Sequence, residues 1–353
     1  MLYKRFDKRL NNLPAEIWNK ITKIDELKGQ WIAGAKLSPQ VLGRLKRSVL
    51  ITSTGSSTRI EGARLSDNDV EKLMNGISLQ KFSNRDKQEV KGYFELLRNI
   101  FDAWEGLRFS ESAIKHFHKE LLKYAEKDER HRGEYKKKEN KVVMIDASGK
   151  AVGTLFDTTP AYLTPKEMLE LVEWTQNTSK EKKYHPLLIA ANFVVEFLNI
   201  HPFEDGNGRL SRILTNLLLL KEGYLYIPCV SHEKLVEENK PEYYMALRKS
   251  QKTFKGKNET IIPWLDFFLS IFHQQSKMAI DLLSAENIEK LLSPKQLAVW
   301  EYLQSVSEAA PLEISKKAKV ARPTVNQALD KLLSFKKIER IGLGRSTRYR
   351  KIA

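Results

Sequence analysis

Residues 185–223 pass through two apolar blocks, HPLLIAANFVVEFLNI and RILTNLLLLKEG, with the polar stretch HPFEDGNGRLSR wedged between them. The first block is apolar on nearly every side, which predicts a central helix enclosed by others. Elsewhere the pattern is amphipathic. In 87–106, Val90, Phe94, Leu97, Phe101 and Trp104 recur at three- and four-residue spacing and mark one helix face. LSDNDVEKLM starts another helix, with Ser66 as N-cap and Asp69 at the third helical position. Strand signals are sparse. Within 132–160, KVVMID and AVGTLFD flank a Ser-Gly-Lys turn and predict a β-hairpin inside a mainly α domain. Ser293 and Pro294 open a new helix after a long apolar segment, placing a boundary near 290. Two more helical segments follow, LEISKKAKV and ARPTVNQALDKLLSF, then two short β-like runs around Gly342 and Gly344. Three helices and a Gly-tipped hairpin outline a winged helix-turn-helix.

A length of 353 residues favours two or three domains. Cys229 is the single cysteine, so no internal disulfide is available and a reducing, cytoplasmic setting is expected. The start lacks an apolar stretch after its basic residues, and nowhere do eighteen uncharged apolar residues run together. Neither a signal peptide nor a membrane span is expected. The formal charge of +16 makes polyanions suitable partners, whether nucleotides or nucleic acid. Thirteen Lys or Arg face five acids in 293–353, half of the whole excess. A recognition helix opening Ala321-Arg322-Pro323-Thr324, with Asn326 and Gln327 on it and a wing carrying Arg345 and Arg348, suits DNA phosphates and base edges. Such modules also dimerise or dock proteins, and a homodimer stays open alongside DNA.

HPFEDGNGRLSR sits between helices, which excludes a two-residue hairpin turn at DGNG. It is not a calcium loop starting at Asp205, because Arg209 and Leu210 stand where an oxygen ligand and a glycine are needed. It fits an anion cradle at a helix N-terminus: Gly206 and Gly208 free backbone N–H groups to point inward, and the helix dipole adds positive potential. Arg209 and Arg212, three apart, suit phosphate oxygens by forked hydrogen bonding. Asp205 offers the hard oxygen that phosphate-bound Mg²⁺ requires. His201, ending a rigid helix, has the basicity to take a proton from a hydroxyl near neutral pH. Phe203 is expected to pack inward and Glu204 to face solvent, although spacing alone lets either acid be the metal ligand.

The segment resembles the Fic motif, His-x-Phe-x-(Asp/Glu)-Gly-Asn-Gly-Arg-x-x-Arg, at every specified position: His201, Phe203, Asp205, Gly206, Asn207, Gly208, Arg209 and Arg212. The resemblance spans roughly 40–275. It implies a Fic-type helical bundle with a β-hairpin flap at 111–290, preceded by a helical region at 1–110 and followed by the winged helix at 291–353. It implies transfer of AMP from ATP, with Mg²⁺, to a Tyr, Thr or Ser hydroxyl of a protein. In that reading His201 is the general base and Asp205 holds the metal. Gly206 to Gly208 cradle phosphates, the nucleotide contacts running on through Leu210 and Ser211; Arg209 neutralises the leaving pyrophosphate, and Arg212 reaches the γ-phosphate. Val152, Gly153, Thr154, Leu155 and Phe156 correspond to the flap that pairs with the target's backbone. Tyr243, Tyr244 and Gln251 correspond to the adenine side, where helix packing is the competing explanation.

Upstream, SSTRIEG contains Ser57-x-x-x-Glu61-Gly62, which matches the family's inhibitory motif. Ser57 and Glu61 are four apart, on one helix face. The resemblance implies that Glu61 pairs with Arg212 and competes with the γ-phosphate. Two other readings stay open: a DNA-binding regulator that uses the core as a nucleotide sensor, and an enzyme that removes AMP with Glu61 positioning water. Relatives that transfer UMP or phosphocholine leave the nucleotide base unsettled, while the intact arginine pair favours ATP.

Overall fold

The computed structural model describes residues 2–34, 37, 39–77, 83–145, 151–335, 337–342 and 347–352. It is mainly α and divides into two compact units, Met1–Ala279 and Ile280–Ala353. The first holds α1 (Leu2–Arg9), α2 (Ala15–Gly34), α3 (Pro39–Ile60), α4 (Asp67–Met74), α5 (Asn84–Ala103), α6 (Glu111–Leu121), the hairpin β1 (Lys141–Ile145) and β2 (Ala151–Asp157), α7 (Thr164–Glu181), α8 (Pro186–Ile200), α9 (Asn207–Lys221), α10 (His232–Glu238) and α11 (Lys240–Gln251). Then comes α12 (Ile262–Leu291). The second unit adds α13 (Pro294–Gln304), α14 (Pro311–Lys317), α15 (Arg322–Ser334), β3 (Ile338–Ile341) and β4 (Arg348–Lys351).

The apolar run at 186–200 becomes the axis of the first unit. Pro186 supplies the fixed φ of a first helical position, the His185 ring accepts from the Leu187 N–H, and residues 187–200 are all buried. A helix buried all round must satisfy any polar side chain it carries. Glu196 is one, and Arg5 and Arg9 of α1 both bind it, while Arg9 also donates to Asn192 at 3.0 Å. The N-terminal helix is thus fastened to the central one by buried charge. Ser66 and Asp69 form a reciprocal capping box at the start of α4.

The hairpin pairs antiparallel, with register shifts after Val142 and Met144. Its turn, Ser148-Gly149-Lys150, lies outside the described residues, as do Gly344 and Arg345. In the second unit, Val299, Trp300, Leu303, Ile314, Val325, Leu329, Leu332 and Ile338 make a separate core. β3 and β4 pair antiparallel, and Tyr349 also bridges to Ala309. Arg322, Asn326 and Gln327 are exposed on α15, whereas Arg348 is engaged by Glu308 and Glu313. Among the described residues no helix is long and apolar enough to cross a membrane.

Candidate functional site

The polar loop begins where α8 stops. His201 closes that helix in the left-handed region (φ 50°), its N–H donating to the Phe197 carbonyl. A non-glycine residue held there costs roughly 1–2 kcal/mol, which the surrounding packing must offset. Phe203 supplies part of it: fully buried, it stacks on His118 with ring centres 3.8 Å apart. Asn207 closes the loop, accepting from the Phe203 N–H (3.0 Å) and donating to the Phe203 carbonyl (2.8 Å). Its side chain therefore braces the loop, and what it leaves to a phosphate is backbone. Glu204 is exposed.

The two glycines serve different needs. Gly206 takes φ 79° as the N-cap of α9. Gly208 is already helical, which differs from the unusual conformation its sequence context suggests. Its role is space: a Cβ there would lie 2.1 Å from Glu61 Oε1 and 3.4 Å from Arg212 Nη1.

His201 is mostly shut in. Burial, reinforced by the Lys136 charge, lowers its pKa from 6.5 to about 4, so the imidazole is neutral at pH 7. Nδ1 is buried without a partner in good hydrogen-bond geometry, leaving Nε2 as the nitrogen a substrate could reach.

Asp205 is half-buried. Burial would raise its pKa, but Arg209, the Gly206 N–H and Arg85 outweigh it, and the carboxyl is held below its usual range. Oδ2 takes hydrogen bonds of 2.7 Å from both Arg85 and Arg209. Arg209 also pairs with Glu89 at 2.8 Å. Among the described residues no three His, Cys, Asp or Glu side chains gather into a metal cage. An ionised single carboxylate beside a phosphate cradle fits Mg²⁺, which keeps its waters and is bound through one or two carboxylates plus substrate phosphates.

Arg212 is buried, with Nε donating to Ser57 Oγ (2.8 Å) and Nη2 to the Ser57 carbonyl (2.9 Å) and Glu61 Oε1 (2.7 Å). Nη1 is buried without a partner in good hydrogen-bond geometry. Burial disfavours the charge, yet Glu61 and the neighbouring tyrosines more than restore it, and the guanidinium stays charged. Glu61 itself sits one residue past α3 rather than inside it. The Gly62 N–H donates to the Arg59 carbonyl and the Ala63 N–H to the Thr58 carbonyl, with Gly62 at φ 104°. This is a Schellman ending, and it explains the Glu-Gly pair: the glycine stops the helix so that the glutamate faces Arg212. α3 is fixed behind it by Ser53 to Glu233 (2.7 Å) and Arg59 to Glu237 (2.6 Å).

Leu210 is packed in the core, and the Ser211 hydroxyl returns to the Gly208 carbonyl, so neither side chain opens to the loop. Tyr243 is buried against Trp264 and Phe267, which is helix packing, and its hydroxyl lies against Arg212. Tyr244 is the open one of the pair, its hydroxyl 3.4 Å from the Ile60 carbonyl at the end of α3. Gln251 ends α11, half-buried. The backbone at 152–156 forms β2, beside α11. Sequence reasoning missed Arg85, Glu89, His118 and Lys136. His118 accepts from the Gly133 N–H on Nδ1, so Nε2 carries the proton and donates to the Asp205 carbonyl at 3.0 Å. The run RHRGEY, whose glycine stands two residues before a buried tyrosine, is a sequence feature beside these partners.

The pattern of the Fic/DOC family matches residues 108–219. A probable protein adenylyltransferase of Aquifex aeolicus is 28% identical over 154 residues, 41% of this chain and 47% of that protein. The chain thus spans about half the length of that relative. A Fido domain-containing protein of Dictyostelium discoideum is 33% identical over 103 residues, 28% of this chain and 68% of that protein. The crystal structure of a Fic family protein from Desulfovibrio desulfuricans G20 aligns over 97% of both chains with a TM-score of 0.62 at 23% identity, a likeness of fold.

Proposed function

The chain belongs to the Fic/DOC family, and from that footing we propose that it transfers AMP from ATP to a Ser, Thr or Tyr hydroxyl of a protein, its own chain included, under restraint by Glu61. One observation carries the reading: a neutral His201, an ionised Asp205 and a buried, charged Arg212 with a spare donor meet at one helix N-terminus, and a carboxylate holds the arginine. The hydroxyl oxygen attacks the α-phosphorus while its proton passes to His201. The bond from that phosphorus to the bridging oxygen breaks, and pyrophosphate leaves. Backbone N–H groups of Gly206 to Gly208 receive phosphate oxygens, Arg209 meets the pyrophosphate charge, and Arg212 takes the γ-phosphate once Glu61 gives way. Mg²⁺, held by Asp205 and the nucleotide, would supply further neutralisation of phosphate charge.

Among the described residues the β1–β2 hairpin is a two-stranded sheet, whose edges suit an added strand, and we assign it to the target backbone. The setting is cytoplasmic, where ATP is supplied. The test is incubation of the Glu61→Gly protein with ATP, Mg²⁺ and a cell lysate, followed by mass spectrometry of modified peptides. AMP on a hydroxyl side chain is expected; a phosphate adduct, or none on any protein, would overturn the reading. Removal of AMP would instead need Glu61, so the same substitution separates the two directions.

A second activity is favoured by the exposed Arg322, Asn326 and Gln327 on α15. We read 291–353 as a winged helix that places this face in a DNA groove. Salt-dependent duplex binding by the full chain, lost in an Arg322→Ala and Asn326→Ala variant, is the expected result; binding unchanged by that pair would refute it.

A further inference from the structure

Lys136 lies between α6 and β1, and its side chain is buried. Its ammonium donates to Asn140 Oδ1 (2.8 Å), Thr158 Oγ1 (2.8 Å) and the Ile200 carbonyl (3.0 Å). Asn140 immediately precedes β1 and Thr158 immediately follows β2, so one side chain clasps both feet of the hairpin. The third acceptor is in the last turn of α8, one residue before His201. Two more bonds continue the clasp. The Lys136 N–H donates to the Pro202 carbonyl (2.9 Å), and Asn140 Nδ2 donates to the Phe203 carbonyl (3.0 Å).

A buried ammonium is an expensive way to fill space, and an apolar side chain of similar volume would avoid its desolvation. Here it is retained with three directed acceptors and the negative end of the α8 dipole, which favour the charge. We infer that Lys136 is a positioning residue: it locks the β1–β2 hairpin to the His201 loop, so that a target strand lying on the hairpin presents its hydroxyl in register with the base. The inference rests on reading the hairpin as the surface that holds the target. Burial keeps the His201 base neutral, and the same ammonium adds to that by opposing its protonation.

The test compares Glu61→Gly with its Lys136→Met and Lys136→Arg derivatives. Amide hydrogen exchange should accelerate at β1, β2 and residues 201–204 together in Lys136→Met, with α15 unchanged, and Lys136→Arg should recover part of the protection. The kcat for AMP transfer should fall roughly tenfold to a hundredfold, as a small misplacement of reacting groups does, while KM for ATP holds. Unchanged exchange at the hairpin feet would overturn the inference, as would a KM for ATP that rises in step with the loss of kcat. If Lys136→Met does not fold, Thr158→Val removes one acceptor of the same clasp, and the same readouts should move in the same direction. A Glu61→Gly parent that transfers no AMP would sink the reading of the site, whereas the exchange comparison would still decide the clasp.

Discussion

Replacing Glu61 by glycine removes one of the hydrogen bonds holding the Arg212 guanidinium and leaves the others, to Ser57 Oγ and the Ser57 carbonyl, in place. Nη1 already lacks a partner in good hydrogen-bond geometry, so the variant presents a buried cation with two under-used nitrogens beside the phosphate cradle. Glu61 is about one-third exposed, so its ion pair with Arg212 is screened and contributes about 1 kcal/mol or less. That is the interaction the γ-phosphate must displace, so its removal strengthens productive ATP binding by up to roughly fivefold and lowers fold stability by no more than the same amount. Two measurements check this: the initial rate of AMP transfer from ATP labelled at the α-phosphate, and the rise in Tm produced by saturating ATP, which reports binding to the folded state. Both should increase in Glu61→Gly, with Glu61→Gln between the two proteins because it keeps the shape and loses the charge. Equal rates together with equal ATP-induced shifts would refute the competition between carboxylate and phosphate.

Gly208→Ala should break the same ion pair from the other side, since its Cβ would lie 2.1 Å from Glu61 Oε1. In a double-mutant cycle read by Tm, the Gly208→Ala, Glu61→Gly pair should then lose no more stability than either single change; additive losses would contradict a shared bond. Stability should fall as pH drops from 6.5 towards 4. His118 and His201 are held at about 4 in the fold against 6.5, so the unfolded chain takes up protons first and stability is complete only above 6.5. For the fully buried His118 the loss approaches ~3 kcal/mol. His118→Phe, which keeps a ring against Phe203 but orphans the Gly133 N–H and the Asp205 carbonyl, should lower stability at pH 7 by ~1–3 kcal/mol and flatten that acid slope. A parallel slope in wild type and variant would dismiss His118 as a contributor.

What was legible in the sequence is what local pattern encodes. The all-round apolar run became the buried α8, and Ser66 with Asp69 became a capping box. The motif's residue types anticipated the juxtaposition of His201, Asp205 and the arginines, because they follow one another along a single loop and helix start. Ser57 and Glu61 do meet Arg212, although the glutamate stands on the closing turn of α3, a detail that depends on Gly62 taking a positive φ. The rest of the site is assembled by tertiary approach. Arg85 and Glu89 come from α5, His118 from α6 and Lys136 from the segment before the hairpin. No periodicity ties them to residues 201–212, so only packing reveals that they brace Asp205 and His201. Gly208 was identified for the wrong physical property: its value is the missing Cβ under Glu61, whereas Gly206 is the one that needs conformational freedom. Leu210 and Ser211 illustrate the reverse limit, since motif membership says nothing of which helix face turns to the core.

The measurement that bears most directly on the central claim uses ATP labelled either at the α- or at the γ-phosphate, with the wild-type, Glu61→Gly and Glu61→Gly, His201→Ala proteins, Mg²⁺ and a lysate. The account predicts protein-bound label from the α position alone, weak in wild type, strong in Glu61→Gly, and absent once His201 is replaced. Label arriving from the γ position, or α-label that persists without His201, would contradict it.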